Sequence, residues 1–150
     1  MPSAREKAMK LFQKMRRMQC ASRSGFAECI SCGKVLPWEK LDGGHYESRK
    51  NRATELEPDN VWGQCKYCNG TLEGNKIAYR NRLINRIGLQ RVLRIEDLAM
   101  AAKGSEEAME RLSESDRELV RCKRKDKDYE QLAIRYAKII RMLEKDSTHV

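Results

Sequence analysis

Two pairs of cysteines constrain the fold of this 150-residue chain more than any other feature of its sequence. Cys29 and Cys32 form one C-x2-C pair, and Cys65 and Cys68 form another. In a reducing compartment, two such pairs are typical of a tetrahedral zinc site whose four positions are all filled by thiolates. Gly33, directly after the first pair, lets the backbone turn so that its N–H groups can point at sulfur. We therefore predict a structural zinc site.

The cysteines also admit other interpretations. Disulfides require an exported protein, whereas the charged N-terminal segment does not resemble a secretory signal, so we expect a cytosolic protein. A redox-active C-x2-C is a third interpretation, although no strand–helix–strand pattern surrounds either pair. A redox switch would instead use Cys20 and Cys122, which stand outside the pairs.

The composition excludes a membrane protein and indicates a polyanionic partner. Charged residues make up 35% of the chain and apolar residues 40%. No apolar run approaches the ~18 residues that a bilayer span needs. The net charge is +9, and residues 1–52 hold twelve basic but only five acidic side chains. A basic first third favours nucleic acid as the partner, and a merely basic soluble protein is the alternative.

We expect an α+β fold that is mostly helical, with a small zinc-stapled core between flanking helices. Apolar residues at helical spacing predict a basic amphipathic helix over residues 1–20. Residues 28–88 are predicted as the core, with short β-type stretches at Val35–Trp38 and Lys40–Tyr46 and a helix over Lys76–Ile87. Asp42-Gly43-Gly44, between Leu41 and His45, are predicted as turn residues. Residues 89–150 are predicted as a helical region, with Ser105 as an N-cap.

Several connecting segments also carry predictions. Loops are expected over Ala21–Ala27 and Glu47–Asp59, and a short helical turn over Asn69–Glu73. The dense charges of Arg121–Lys127 indicate a solvated helix face. A last helix over Asp126–Lys145 carries an apolar stripe, which covers either this chain's own core or a second copy in a dimer.

One histidine, His45, lies between the two cysteine pairs, whereas the other, His149, lies next to the end of the chain. His45 can be a turn residue or an extra metal ligand. It can also be a general base, because a pKa near ~6.5 leaves most imidazole neutral at cellular pH.

Oxygen donors occur close to the same segment. Asp42 precedes His45 by three residues, and Asn69 directly follows Cys68. Glu73 is expected one helical turn beyond Asn69, on the same face. Hard oxygen ligands of this kind suit Mg²⁺, and phosphodiester hydrolysis needs a cation beside the base.

The combination of these motifs resembles a known family. The segments that carry the resemblance are Cys29–Gly33, Leu41–Tyr46, Asp59–Asn69, Gly74-Asn75, Tyr79-Arg80, Leu83-Ile84 and Arg86–Gly88. They are similar to the lambdoid phage NinG (Rap) recombination endonucleases. The spacing also resembles the phage recombination endonuclease VII family, in the wider His-Me finger (HNH-like) class. The resemblance covers residues 28–90.

The resemblance implies a ββα-metal core with His45 as the general base and Asn60 as the residue that orients it. It further implies that Asp42 and Asn69, with Glu73 as a weaker ligand, hold one Mg²⁺ or Mn²⁺, while the four paired cysteines hold zinc. Typical HNH enzymes have histidine at the position of Asn69, so asparagine here favours Mg²⁺. Members of these families cut branched DNA, such as Holliday junctions and D-loops, as dimers. A homodimer that works with phage recombination proteins in the host cytoplasm is therefore implied.

Basic residues around this core are candidates for phosphate contacts, and little in the sequence indicates reading of base edges. Structure-selective binding is therefore expected, although each residue can equally be an ordinary surface side chain. A non-catalytic zinc ribbon that binds DNA or a recombination protein is the alternative function, with Asp42 and His45 as turn residues. The candidate DNA contacts are Arg49, Lys50, Arg52, Arg80, Arg82 and Arg86.

Overall fold

The computed structural model describes residues 1–147, so His149 lies outside the described residues. Within this range the chain forms helices and two small antiparallel sheets. The mostly helical α+β class is therefore confirmed. The elements are α1 (Ala4–Cys20), β1 (Phe26–Glu28), β2 (Val35–Pro37), β3 (Leu41–His45), β4 (Val61–Cys65), α2 (Lys76–Ile87), α3 (Leu89–Ala102), α4 (Glu106–Arg111), α5 (Glu114–Arg121) and α6 (Asp126–Ser147).

Serine side chains accept hydrogen bonds from backbone N–H groups at the starts of α1 and α4. The Ser3 hydroxyl accepts from the Glu6 N–H at 3.1 Å, and the Glu6 carboxylate accepts from the Ser3 N–H at 2.9 Å. This capping box satisfies two N–H groups at the start of α1. Ser105 accepts from the Ala108 N–H at 3.2 Å and confirms the predicted cap of α4.

The two sheets contain segments that the sequence predicts as loop or turn. β3 pairs with β4 in regular antiparallel register, from Leu41 opposite Cys65 to His45 opposite Val61. The predicted turn at Asp42-Gly43-Gly44 is therefore wrong, because these residues are the interior of β3. A Cβ at Gly43 would come within 2.7 Å of the Gln13 Cβ, so glycine here allows α1 to approach the strand. Likewise, the predicted loop Ala21–Ala27 ends inside β1, which pairs with β2.

Two other segments differ from their predictions. Tyr67–Thr71 forms a π-helical turn, two residues ahead of the predicted turn at Asn69–Glu73. The charge run Arg121–Lys127 is not one helix face, because α5 ends at Arg121 and α6 begins at Asp126. The predicted bounds of α2 are confirmed, and Gly88 follows it with φ +88°.

Two apolar clusters flank the β3–β4 hairpin. One joins α2, α3 and α4 and buries Tyr79, Leu83, Ile95 and Leu98. The other joins α1 and α6, with buried side chains that include Phe12, Met15, Tyr129, Tyr136 and Ile140.

The apolar stripe of α6 thus covers this chain's own α1, which is one of the two alternatives that the sequence leaves open. Phe12 and Tyr136 make the central ring contact, with centroids 5.2 Å apart. Among residues 1–147, no helix combines the length and apolar character that a membrane crossing requires.

Candidate functional site

The four paired cysteines converge on one point. Cys29 and Cys32 lie between β1 and β2, Cys65 ends β4, and Cys68 lies in the π-helical turn that follows. Their Sγ atoms all lie within 4.8 Å of one another, and the Cys32 and Cys65 sulfurs are 3.9 Å apart. Zn–S bonds of about 2.3 Å in a tetrahedron place the sulfurs roughly 3.8 Å apart. The donor set therefore fits a structural Zn²⁺.

The structure also bears on the disulfide interpretation of the paired cysteines and on the surroundings of Cys20 and Cys122. All six cysteines are free thiols, and 3.9 Å is about twice the ~2.0 Å of an S–S bond, so the disulfide alternative is wrong for the pairs. Cys20 packs against the cysteine cluster. Cys122 is exposed, and its thiol donates to the Glu118 carboxylate at 3.4 Å.

The surroundings of the sulfurs are built to hold negative charge. The Cys32 and Cys68 N–H groups donate to the Cys29 and Cys65 sulfurs at 3.5 and 3.4 Å. Although burial opposes it, hydrogen bonds from backbone N–H groups lower the pKa of Cys29 to about 7. Burial and the neighbouring sulfurs raise the pKa of Cys68 to about 12, against a hydrogen bond from Asn75. Four thiolates this close together need a cation, because their mutual repulsion otherwise keeps some of them protonated.

His45, at the end of β3, is held in one tautomer. Its Nε2 lies 2.9 Å from the carbonyl oxygen of Glu55. A carbonyl only accepts hydrogen bonds, so Nε2 carries the proton and the lone pair lies on Nδ1. Burial lowers the pKa of His45, and the positive charges of Arg49 and Lys76 add to this effect. The imidazole is therefore neutral near pH 7 and able to accept a proton at Nδ1.

Glu55, which sequence reasoning missed, connects the His45 loop to both terminal helices. Its carboxylate is fully buried and accepts from Arg5 of α1 at 2.7 Å and from the Tyr129 hydroxyl of α6. Arg124 lies 3.8 Å from the same carboxylate. These partners are 50 to 74 residues from Glu55 in sequence, so no local spacing could have identified it.

Asn60 fixes the loop that supplies the Glu55 carbonyl. Its side chain is fully buried, and its amide donates to the carbonyls of Glu47 and Thr54 at 3.1 and 3.0 Å. Its side-chain oxygen accepts from the Glu47 N–H at 2.7 Å. Asn60 is predicted to orient His45. It can do so only indirectly, because it holds the backbone near Glu55 and does not hydrogen-bond to the imidazole.

The predicted oxygen donors Asp42 and Asn69 do meet. The Asn69 amide donates to one Asp42 carboxylate oxygen at 3.0 Å, and the Lys66 ammonium donates to the other at 2.7 Å. Partial burial opposes ionisation, but the hydrogen bonds and charge of Lys66, with Asn69, lower the pKa of Asp42. Asp42 is therefore ionised at neutral pH and paired with Lys66, a residue that the sequence gives no reason to single out.

His45 and Asp42 leave β3 on opposite faces. They are three residues apart in a regular strand, so their side chains alternate and their Cα atoms are about 10 Å apart. His45 shares its face with Gly43, which packs on Gln13 of α1. The structure thus brings Asp42 and Asn69 together and places His45 in a separate group with Glu55 and Arg49.

Glu73 does not occupy the expected position. It lies beyond the π-helical turn with φ +49°, in a left-handed backbone conformation, and its side chain is exposed. The prediction that it shares a helical face with Asn69 is therefore wrong, because no helix continues from Asn69 to Glu73.

The six candidate DNA contacts divide into two groups. Arg80 makes a two-pronged ion pair with Glu96 at 2.8 and 3.0 Å, and Arg82 pairs with Glu28 at 3.0 Å. Arg86 also faces Glu28, at 4.0 Å, and stacks on Trp62. In contrast, Arg49, Lys50 and Arg52 are exposed and form no ion pair within residues 1–147.

Replacing Glu55 by glutamine tests how much the buried carboxylate contributes to the stability of the fold. The change leaves Arg5 beside a neutral partner, and we expect a loss of about 2 kcal/mol in the free energy of unfolding. A thermal or urea unfolding curve measures this loss. The exposed pair of Lys14 and Glu144, 3.7 Å apart, supplies the control, because Glu144→Gln is expected to cost less than about 1 kcal/mol. Equal losses of unfolding free energy in the two variants would show that the buried Glu55 carboxylate stabilises the fold no more than an exposed ion pair does.

Comparisons with known proteins agree on one family. The family model described as Bacteriophage Lambda NinG protein matches residues 3–145. The Protein ninG of Escherichia phage 933W is 44% identical over 70 residues, which cover 45% of this chain and 34% of that protein. The corresponding values are 43% over 70 residues for Salmonella phage P22 and 40% over 74 residues for Escherichia phage lambda.

The alignments cover about a third of the length of these curated relatives. No solved structure matches the chain significantly.

Proposed function

Because this chain belongs to the bacteriophage lambda NinG family, we propose that it is a metal-dependent endonuclease that cuts branched DNA in recombination. The resemblance to recombination endonucleases supplies the substrate class, Holliday junctions and D-loops. The +9 net charge supports a polyanionic substrate. The proposal includes a homodimer acting with phage recombination proteins in the host cell.

The state of His45 is the observation that carries the proposal. A neutral imidazole whose Nε2–H is fixed on a carbonyl presents Nδ1 as a general base. The loop that carries this carbonyl is fixed at two points. The Glu55 carboxylate is bound to Arg5, and the Asn60 amide donates to the carbonyl of Thr54. A structural zinc ribbon has no need for a histidine held in this way.

The chemistry at His45 is water activation. Nδ1 takes a proton from a water molecule, whose oxygen forms the new bond to phosphorus while the bond to the leaving oxygen breaks. The leaving oxygen takes a proton from solvent, and Nδ1 returns its own proton to solvent. Arg49, close enough to influence the pKa of His45, is placed to attract the phosphate.

We propose that Asp42 and Asn69 hold one Mg²⁺ or Mn²⁺. A carboxylate and an amide oxygen suit such a hard cation, and the bound Lys66 ammonium indicates that the carboxylate attracts positive charge. When bound, the cation supplies charge neutralisation at phosphate oxygens.

Asp42→Asn and Lys66→Gln test this assignment as a pair. Asp42→Asn removes the anionic donor and is expected to raise the Mg²⁺ concentration for half-maximal cleavage at least tenfold. Lys66→Gln removes the competing ammonium and is expected to lower that concentration. Mg²⁺ titrations of cleavage rate measure both. If both variants keep the wild-type Mg²⁺ dependence, Asp42 serves only as the partner of Lys66.

The alternative is a non-catalytic zinc-stapled module that binds DNA or a recombination protein. The separation of His45 from Asp42 across β3 favours it, because a base and a cation that act on one phosphate must both reach that phosphate. The zinc site and the basic surface are common to both proposals.

One assay decides between the two functions. Purified protein is incubated with a synthetic four-way junction and a matched linear duplex, with and without Mg²⁺, and its zinc content is measured. Mg²⁺-dependent cuts in the junction support the endonuclease. Tight junction binding without cuts at any Mg²⁺ or Mn²⁺ concentration identifies the binding module.

A further inference from the structure

Basic side chains line three adjacent surface grooves. The first groove lies between the start of α1 and the loop after β3, and it includes Lys10, Arg49 and Lys50. The second lies between that loop and the end of α5, and the third lies where α5 connects to α6. We call six of the lining residues the basic track: Lys10, Arg49, Lys50, Arg52, Lys123 and Arg135.

The three grooves form one continuous path. Lys50 lines both the first and the second groove. Lys123 lines both the second and the third, and Arg135 extends the path along α6. The path therefore connects three segments that are far apart in sequence: α1, the loop after β3, and the α5–α6 connection.

The charges of the basic track are free to bind an external anion. All six side chains are exposed, and none forms an ion pair within residues 1–147. The acidic residues that line the same grooves, Glu6 and Asp128, each accept a hydrogen bond from a backbone N–H at a helix start. By contrast, Arg80 and Arg82 on α2 are neutralised by Glu96 and Glu28.

The first groove is connected to His45 through Arg5. Arg5 lines this groove and donates to the Arg49 carbonyl and to the Glu55 carboxylate. The backbone carbonyl of Glu55 in turn accepts the hydrogen bond from His45. Gln13 lines the groove as well and packs on Gly43, on the His45 face of β3. A phosphate chain in this groove therefore runs beside Arg5 and Arg49, the residues through which the groove is connected to His45.

We propose that the basic track binds the phosphates of one arm of a DNA substrate, from the start of α1 across the loop after β3 to the start of α6. The track gives a role to the charge run at Arg121–Lys127 and places the DNA on α1 and α6 instead of on the arginines of α2. The proposal rests on the proposed function for the identity of the nucleic acid but not for the cleavage step.

The test is DNA binding by the 150-residue His45→Ala protein, which is used so that the DNA stays intact. A triple variant, Lys50→Gln, Lys123→Gln and Arg135→Gln, is compared with this parent by fluorescence anisotropy on a four-way junction. Loss of three phosphate contacts is expected to weaken binding roughly 100-fold at 0.15 M salt, because each contact contributes about 0.9 to the salt slope. The slope of log Kd against log salt is expected to fall by about 3.

Two matched variants carry the same loss of charge. Lys34→Gln, Lys40→Gln and Lys138→Gln, all exposed and outside the basic track, are expected to change Kd less than about threefold. Arg80→Gln, Arg82→Gln and Arg86→Gln test the α2 surface in the same way. The inference is overturned if the track variant binds like its parent, or if either comparison variant loses as much affinity. Wild-type protein that binds no DNA even at low salt contradicts the proposed function itself.

Discussion

Replacing His45 by alanine is expected to lower Mg²⁺-dependent cleavage of a four-way junction by about 10²–10⁴-fold. Within residues 1–147, the imidazole of His45 is the only group on its face of β3 that has a neutral nitrogen with a lone pair held in one orientation. Its removal leaves the Glu55 carboxylate, its buried partners and the cysteine cluster in place. Single-turnover cleavage at saturating protein measures the chemical step separately from DNA binding.

The pH dependence of cleavage gives the same prediction a second readout. A general base works in its neutral form, so cleavage rises with pH through the pKa of His45 and is flat above it. Burial, together with the charges of Arg49 and Lys76, lowers that pKa against the hydrogen bond to Glu55 and the opposing charge of Glu55. The midpoint of the rise is therefore expected below pH 6.5. A midpoint above this value would contradict the buried environment of His45.

The control for His45→Ala is His149→Ala, which removes the second histidine of the chain. The control variant is expected to cleave at the wild-type rate. Both variants are expected to keep wild-type zinc content and junction affinity. A His45→Ala protein that cuts at the normal rate would refute the general-base assignment, whereas one that loses zinc or DNA binding would assign His45 a structural role.

The convergence of the four cysteines could be predicted from the sequence because its signal is local. Two residues between paired cysteines fix a turn that brings both sulfurs to one point, and Asn69 then follows Cys68 into the same region. The bounds of α2 were equally accessible, since apolar periodicity and Gly88 define both its face and its end.

The relation between Asp42 and His45 could not be predicted, because it depends on packing. Two adjacent glycines indicate a turn, but here Gly43 allows α1 to approach an extended strand, and the strand sends the two side chains to opposite faces. Tertiary context overrides the local preference of such a pair.

Long-range ion pairs could not be predicted either, because they also depend on how distant elements pack. The carboxylates that neutralise Arg80 and Arg82 come from α3 and β1, and the groups that bind Glu55 come from α1 and α6. No spacing rule connects such residues. The sequence alone therefore assigned DNA contacts to arginines that the fold has already paired.

Replacing Cys65 by serine is expected to unfold the protein. Binding of a structural zinc ion is worth about 10–16 kcal/mol, which equals or exceeds the ~5–15 kcal/mol that stabilises a typical domain. Cys65 ends β4, whose Val61 belongs to the α1–α6 cluster and whose Trp62 packs against the α2–α3 cluster. Release of the strand from the zinc site therefore loosens the hairpin that joins both clusters.

Zinc content, far-UV circular dichroism and thermal unfolding measure the outcome. Cys122→Ser is the matched control, because Cys122 is exposed and lies outside the cysteine cluster, and it is expected to keep one zinc ion and the wild-type Tm. The remaining Cys29, Cys32 and Cys68 form an incomplete donor set, which binds zinc far more weakly than four thiolates. A Cys65→Ser protein that lacks zinc and still melts cooperatively at the wild-type Tm would show that apolar packing alone maintains the fold. The cysteine cluster would then not be the scaffold on which the arrangement of Asn69, Asp42 and His45 depends.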